Sequence, residues 1–299
     1  MIKNSAIAFI LFFNLALTSC SEVKQTQSMP VIVVYPTWSA DQLPLKNIPW
    51  HKFTHITLTF LLPNADGSLN TQDVDKIIDP LITLAHQKNK KVFVSIGGAL
   101  GYGDAFQKIA VDKNRLKLFA QNVKHYAVAH QIDGIDIDWE YWTKQAVHQQ
   151  GGNDPVESQL LVDLLATLRA ELPKEIKLTA DIFAGYWYGE QYLPEIQQHL
   201  DYAVLMAYDF TGAWESSPVT HHADYDTFKK SINFVLDRGF QKEKLLVGFP
   251  SYGVEFVDGK NKQVNRDYPH KIIVEKIKQQ KGDLNSGKSI MCFSKHLSW

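Results

Sequence analysis

The chain has 299 residues, 45% hydrophobic and 21% charged, with a formal net charge of −1. That length and apolar content allow one large domain or two small ones. A charge near zero with no basic run argues against a nucleic-acid partner, and the 12% aromatic content suits sugar stacking without requiring it.

The N-terminus is read apart from the fold. Lys3 supplies a positive start and Ala6–Leu17 a short apolar run, too short to span a bilayer comfortably. It ends Leu17-Thr18-Ser19-Cys20, which resembles the bacterial lipobox, in which the Cys is lipidated and becomes the new N-terminus. The expectation is a signal peptide over 1–19, a lipid anchor at Cys20 and a polar tether over 20–30. The anchor would hold the chain to a bacterial envelope membrane, at a periplasmic or cell-surface face, without spanning it. The alternative is an ordinary cleaved signal peptide with an incidental Cys. With Cys20 lipidated, Cys292 is unpaired and no disulfide forms. No Cys/His cluster has zinc-ligand spacing, and His221-His222 reads as a loop or cap feature ahead of a helical pattern. Neither a metal nor a cofactor is expected.

From Val31 on, strand-like and helix-like segments alternate. Val31–Tyr35 and Thr54–Leu62 are apolar and β-branched, and Asp66-Gly67 marks a turn. Val74–His86 has helical spacing, and Lys91–Ile96 is a strand closed by Gly97-Gly98. Asn114–His130 predicts a long amphipathic helix, with Leu116, Leu118, Phe119, Val123 and Tyr126 apolar. Pro155–Leu172 predicts another, Pro155 suiting its first turn. Ile176–Phe183 and Tyr202–Tyr208 are strands, Asp226–Arg238 a helix capped by Gly239, and Leu245–Phe249 a strand entering Pro250-Ser251-Tyr252-Gly253. These six strand segments, with a seventh between the two long helices, argue an α/β fold with a parallel sheet; eight would close a (β/α)8 TIM barrel. The first strand–helix turn, Pro36-Thr37-Trp38-Ser39, lacks the glycines of a dinucleotide site.

Between the two long helices stands Asp133-Gly134-Ile135-Asp136-Ile137-Asp138-Trp139-Glu140. Period-two alternation puts Asp136, Asp138 and Glu140 on one strand face, about 7 Å apart, and Ile135, Ile137 and Trp139 on the other. Like charges that close repel, so at least one carboxyl should stay protonated near neutral pH, as general-acid chemistry requires. The plainer readings are a solvated face or a calcium site. The apolar back face argues against the first, and an Ile-rich strand against the second.

This acidic stretch resembles the signature of glycoside hydrolase family 18, the chitinase family. Ser95-Ile96-Gly97-Gly98, Met206-Ala207-Tyr208-Asp209 and Gly248-Phe249-Pro250-Ser251-Tyr252-Gly253 resemble the family's third-, sixth- and seventh-strand motifs, in the right order. The resemblance implies a catalytic barrel over 31–299 that hydrolyses β-1,4 bonds at N-acetylglucosamine with retention, the substrate's acetamido oxygen serving as nucleophile. Glu140 would be the acid and then the base, Asp138 the acceptor of the acetamido N–H, Asp136 a proton-sharing partner of Asp138, and Tyr208 a donor to the acetamido oxygen. Asp209 and Met206 would line the same subsite, Ser95 would support Asp136 from below, and Gly97 and Gly98 would leave room for a sugar or a neighbouring strand. Tyr35 and Tyr252 stand at the barrel mouth, as sugar contacts or as packing. Trp38, Tyr141, Trp142, Trp187 and Tyr188 are candidate stacking platforms or plain apolar cover. The implied partner is chitin or another N-acetylglucosamine glycan, bound by a monomer.

Trp139 before the acid looks more like the chitinases than like members that cut N-linked glycans, which remain the alternative beside a non-catalytic sugar-binding lipoprotein. The C-terminal part departs from the family pattern. Ser289–Ser294 is the one candidate eighth strand, with no helix to follow it, and Trp299 is no firm match for the family's floor Trp. Either that run closes the barrel, or the barrel is incomplete after strand seven.

Overall fold

The computed structural model describes residues 29–99, 103–140, 155–183, 191–211, 217, 218, 220–257, 263–279, 290–292 and 295–298. The chain divides into two units, Met1–Pro30 and Val31–Trp299, and every element below lies in the second. The anchor residue Cys20, and Tyr141, Trp142, Trp187, Tyr188 and Trp299, lie outside the described residues.

The apolar runs form β1 (Ile32–Pro36), β2 (His55–Pro63), the short β3 (Leu69–Asn70), β4 (Lys91–Gly97), β5 (Gly134–Asp138), β6 (Lys177–Phe183), β7 (Tyr202–Met206) and β8 (Leu245–Val247). Between them run the helices α1 (Gln72–Asp75), α2 (Ile78–Gln87), α3 (Gly103–Ala110), α4 (Lys113–Ala129), α5 (Pro155–Glu171) and α6 (Tyr225–Asp237). Local chemistry sets their ends. Asp112 caps α4 by accepting the N–H groups of Asn114 and Arg115, and Asp224 caps α6 through Thr227 N–H. Gly239 ends α6 at φ +99°, a left-handed conformation.

Seven of these strands pair in the order β1-β2-β4-β5-β6-β7-β8, all parallel, with β3 added antiparallel to β2. This is the expected α/β architecture, seven strands of a (β/α)8 plan with the eighth position reduced. Register gives the sheet two faces. Leu58, Val94, Ile135 and Leu178 are aligned on the outer one, where they pack with Phe106, Phe119, Leu164 and Leu168 of the helices in one buried core. The inner face carries Phe93 beside Gly134, then Ser95, Asp136 and Thr179 in one row. A Cβ on Gly134 would fall 2.5 Å from the Phe93 ring, so glycine here makes room for it.

The one candidate for an eighth barrel strand does something else. Ile290–Cys292 (β11) pairs antiparallel with Lys295–Ser298 (β12), which lies against β9 (Tyr252–Val257). With β10 (Gln263–Pro269) they form a separate sheet in the order β10-β9-β12-β11, and α7 (His270–Gln279) precedes β11. The reason is in the spacing. Only residues 293 and 294 separate β11 from β12, and so short a link joins antiparallel strands, whereas a parallel crossover needs a dozen residues or more. Among the described residues nothing pairs with the outer edges of β1 and β8. Val34, an inner-face residue of β1, is accordingly 64% exposed.

Two glycines at similar φ separate steric collision from conformational cost. Gly97 sits at φ +119°, and a Cβ there would lie 2.2 Å from the Asp138 carbonyl oxygen; Gly239 has nothing within 4 Å. Gly239→Ala should cost about 1 kcal/mol, and Gly97→Ala more than about 2 kcal/mol because backbone must also move. Urea unfolding of both variants checks this, and equal losses would contradict it.

Candidate active site

The acidic strand β5 occupies the middle of the parallel sheet, and its alternation is as the sequence implies. Ile135, Ile137 and Trp139 face outward and are buried, the Trp139 ring stacking on Phe106 at 5.3 Å. Asp136 and Asp138 face inward and are each only 5% exposed. Glu140, just past the strand's carboxyl end, is half-buried. Tyr192 fixes this end by donating its hydroxyl to the Trp139 carbonyl at 3.2 Å.

The first acid of the stretch has another job. Asp133 accepts from Lys91 Nζ at 2.7 Å, His86 Nε2 at 2.7 Å and Val92 N–H at 2.9 Å. Burial pushes its carboxyl up, but these donors and the Lys91 charge hold it below the usual range. It ties β5 to β4 and stands outside the ladder.

Asp136 accepts Ser95 Oγ at 2.7 Å and Thr179 Oγ1 at 2.5 Å, so the expected support from Ser95 is present. A third donor is the carboxyl of Asp181. Burial raises the Asp136 carboxyl, and the three hydrogen bonds, Thr179 first, oppose that rise. Asp138 has no such help. Burial, then the charges of Glu140 and Asp136, hold it well above the usual carboxylate range. Its Oδ1 is buried with no hydrogen-bond partner among the described residues. Burial and the neighbouring charges of Asp136 and Asp138 lift Asp181 in the same way.

Tyr208 follows β7 and faces this cluster. Burial, then the charges of Asp181, Asp138, Glu140 and Asp136, push its phenol well above its ordinary value, so it remains a donor. Gly248 makes room for its ring, since a Cβ there would lie 2.9 Å from Tyr208 Cε1. Met206, at the end of β7, is half-buried on the same inner face. Asp209 sits at φ +57°. It accepts the Tyr252 hydroxyl at 2.7 Å and lies 3.2 Å from His222 Nδ1. Tyr252 thus reaches the site through Asp209.

On the other side of the mouth, Trp38 follows β1, 67% exposed, with its ring 6.3 Å from that of Phe60. Phe60 lies against Gly98, where a Cβ would come within 3.2 Å of the ring. Tyr35 is set apart from this group, a correction to its expected place at the mouth. It belongs to the outer face, is 3% exposed, and donates its hydroxyl to the Leu43 carbonyl at 2.8 Å. The reason is alternation, because Tyr35 pairs with Leu58 on the helix-covered side.

Three functional candidates escaped the sequence reading. Thr179 and Asp181 stand two apart on β6, a visible period-two signal, but their meeting with Asp136 depends on the register of β6 against β5. His222 is a wholly buried imidazole, pushed down to about 4 by burial, that donates from Nε2 to the Tyr252 carbonyl. Nothing local in the His221-His222 pair marks it.

Parallel strands with helices on the outer face and polar groups at the strands' carboxyl ends are the plan of an α/β barrel. The chain belongs to the glycosyl hydrolases family 18, whose family model matches residues 31–291. A chitinase-like effector of Moniliophthora roreri is 26% identical over 238 residues, covering 74% of this chain and 58% of its own length. Probable chitinase 2 of Drosophila melanogaster is 29% identical over 258 residues, covering 76% of this chain and 51% of its own. The chain therefore spans little more than half the length of these curated relatives. Among solved structures, the class V chitinase from Nicotiana tobaccum superposes with a TM-score of 0.76 at 22% identity, covering 91% of this chain and 87% of that one.

The environment of Asp138 carries a stability cost with a definite pH dependence. Its folded pKa is raised, so its contribution is fully present below the unfolded value of about 3.9 and is lost as pH rises through the folded value. Asp138→Asn should therefore melt about 3 °C above the parent at pH 8, with the gap closing towards pH 4. Calorimetry at the two pH values checks this, and a gap that does not change with pH would contradict it.

Proposed function

We propose that this chain hydrolyses β-1,4 linkages at N-acetylglucosamine, in chitin or chito-oligosaccharides, with retention and with the substrate's acetamido oxygen as nucleophile. The observation that carries this reading is the buried Asp138 Oδ1, between Asp136 and Glu140 in sequence, which has no hydrogen-bond partner among the described residues. A buried acceptor left unmet costs about 1–3 kcal/mol, and the acetamido N–H of a bound sugar is the donor that would meet it. That bond turns the acetamido oxygen toward the anomeric carbon.

The remaining groups follow in sequence. The proton of Glu140 passes to the glycosidic oxygen as the bond to the anomeric carbon breaks and the acetamido oxygen bonds to that carbon. Tyr208, held as a donor, hydrogen-bonds the acetamido oxygen. Asp138 holds the acetamido N–H, and the ionised Asp136 beneath it offsets the positive charge on the oxazolinium ring. Water then attacks the anomeric carbon, the bond from the acetamido oxygen to that carbon breaks to restore the acetamido group, and the Glu140 carboxylate takes the water's proton, which restores the acid. Trp38 over Phe60 offers an exposed aromatic face for a sugar ring, and Asp209, steadied by the Tyr252 hydroxyl, lies on the Met206 side. The reading also draws on the chitinase names of the relatives.

Glu140→Gln should retain chitotetraose binding and lose hydrolysis by about 10²–10⁴-fold, read by product chromatography and tryptophan fluorescence. A variant that cleaves at near the parent rate would contradict the assignment. A parent that binds chitotetraose without cleaving it would make the chain a sugar-binding protein, and cleavage confined to N-glycan cores would place the substrate there. Cello-oligosaccharides, which lack the acetamido group, should not turn over.

We also propose that Cys20 carries a lipid that holds the protein to a bacterial envelope membrane, a reading supported by the Leu17–Cys20 run. Cys20→Ser should move the full chain from the membrane fraction to the soluble fraction, and an unchanged distribution would contradict the anchor.

A further inference from the structure

We propose that Asp181 is a positioning residue for the acidic strand: it donates a hydrogen bond to Asp136, keeps that carboxylate ionised, and so leaves Asp138 free to serve Glu140 and the substrate. The proposal rests on the hydrolytic reading above.

Placement comes first. β6 runs parallel to β5 with Thr179 beside Asp136 and Ala180 beside Ile137. Asp181, the next residue along, shares the inner face with Thr179 and reaches Asp136 from the strand's carboxyl-end side. Its neighbour on β7 is Val204, which offers no polar group to its side chain. The charges acting on Asp181 among the described residues are those of Asp136, Asp138 and Glu140 on the β5 side; no cation appears among them, and Tyr208 faces the cluster from the end of β7. A carboxyl group among acids and apolar atoms keeps its proton, and that proton has Asp136 as its hydrogen-bond acceptor.

The consequence concerns which acid holds which proton. Asp136 receives three hydrogen bonds, from Ser95, Thr179 and Asp181. Without the third, Asp136 would compete for the proton of Asp138, and Asp138 would turn inward. With it, Asp138 keeps its own proton and an oxygen that has no hydrogen-bond partner among the described residues. No bond is made or broken in this role; one proton stays on Asp181 and is shared toward Asp136.

Two variants and one titration of the full chain test it. Asp181→Ala removes the donor, so the Asp136 pKa rises and the acid limb of kcat on chitotetraose should move up by about one pH unit, with kcat down about tenfold at pH 6 and KM within twofold. Asp181→Asn keeps an N–H donor and should return the acid limb to the parent position. An Ala variant whose acid limb coincides with the parent's, or an Asn variant that shifts as far as Ala, would overturn the proposal. Carbon-13 titration of the aspartate carboxyl groups in the unsubstituted free protein needs neither turnover nor a folded variant. Asp136 should ionise before Asp181 and Asp138, and Asp181 ionising first would overturn the proposal. If the parent cleaves no chito-oligosaccharide, the hydrolytic reading falls, while the order of ionisation still decides the role of Asp181.

Discussion

The inner face depends on how four neighbouring carboxyl groups, two of them buried and two half-buried, share their protons. Desolvating an ionised carboxylate costs several kcal/mol, and a hydrogen bond to a charged group returns roughly 1.5–3 kcal/mol. Asp136, with three donors, recovers most of that cost and is the member that can be ionised. Asp138 has an oxygen without a partner among the described residues, and Asp181 gives a hydrogen bond to Asp136, so these two hold protons. Glu140 lies half-buried at the strand's end.

The fold supports these groups by burying its opposite face thoroughly. The outer residues of β4, β5 and β6 interlock with α3, α4 and α5, and the Trp139 ring against Phe106 anchors the residue that precedes the acid. That anchoring lets a strand carry costly groups on its inner side without losing register. The acidic side lowers stability near neutral pH, and the same arrangement keeps a buried carboxyl oxygen without a partner among the described residues and a phenol protonated.

Much of this was legible in the sequence. Period-two alternation in an Ile-rich strand defines the faces of β5 without help from any other segment, and Ser95 came from the resemblance of Ser95-Ile96-Gly97-Gly98 to the family's third-strand motif. What was hidden is long-range. Asp181 matters only because β6 pairs with β5 in one particular register, and a single residue's slip would turn it outward. Tyr35 was misplaced because Val31–Tyr35 is apolar on both faces, as parallel strands are, so alternation gave no clue to the inner side. The run at 290–292 has strand composition, but a two-residue link to β12 makes it half of a hairpin.

The central claim is that this buried ladder serves a reaction in which the substrate's own acetamido group attacks. Proton NMR of the first products released from chitotetraose tests it most directly. Retention predicts that the β-anomer accumulates first and mutarotates later. The α-anomer appearing first would contradict the account.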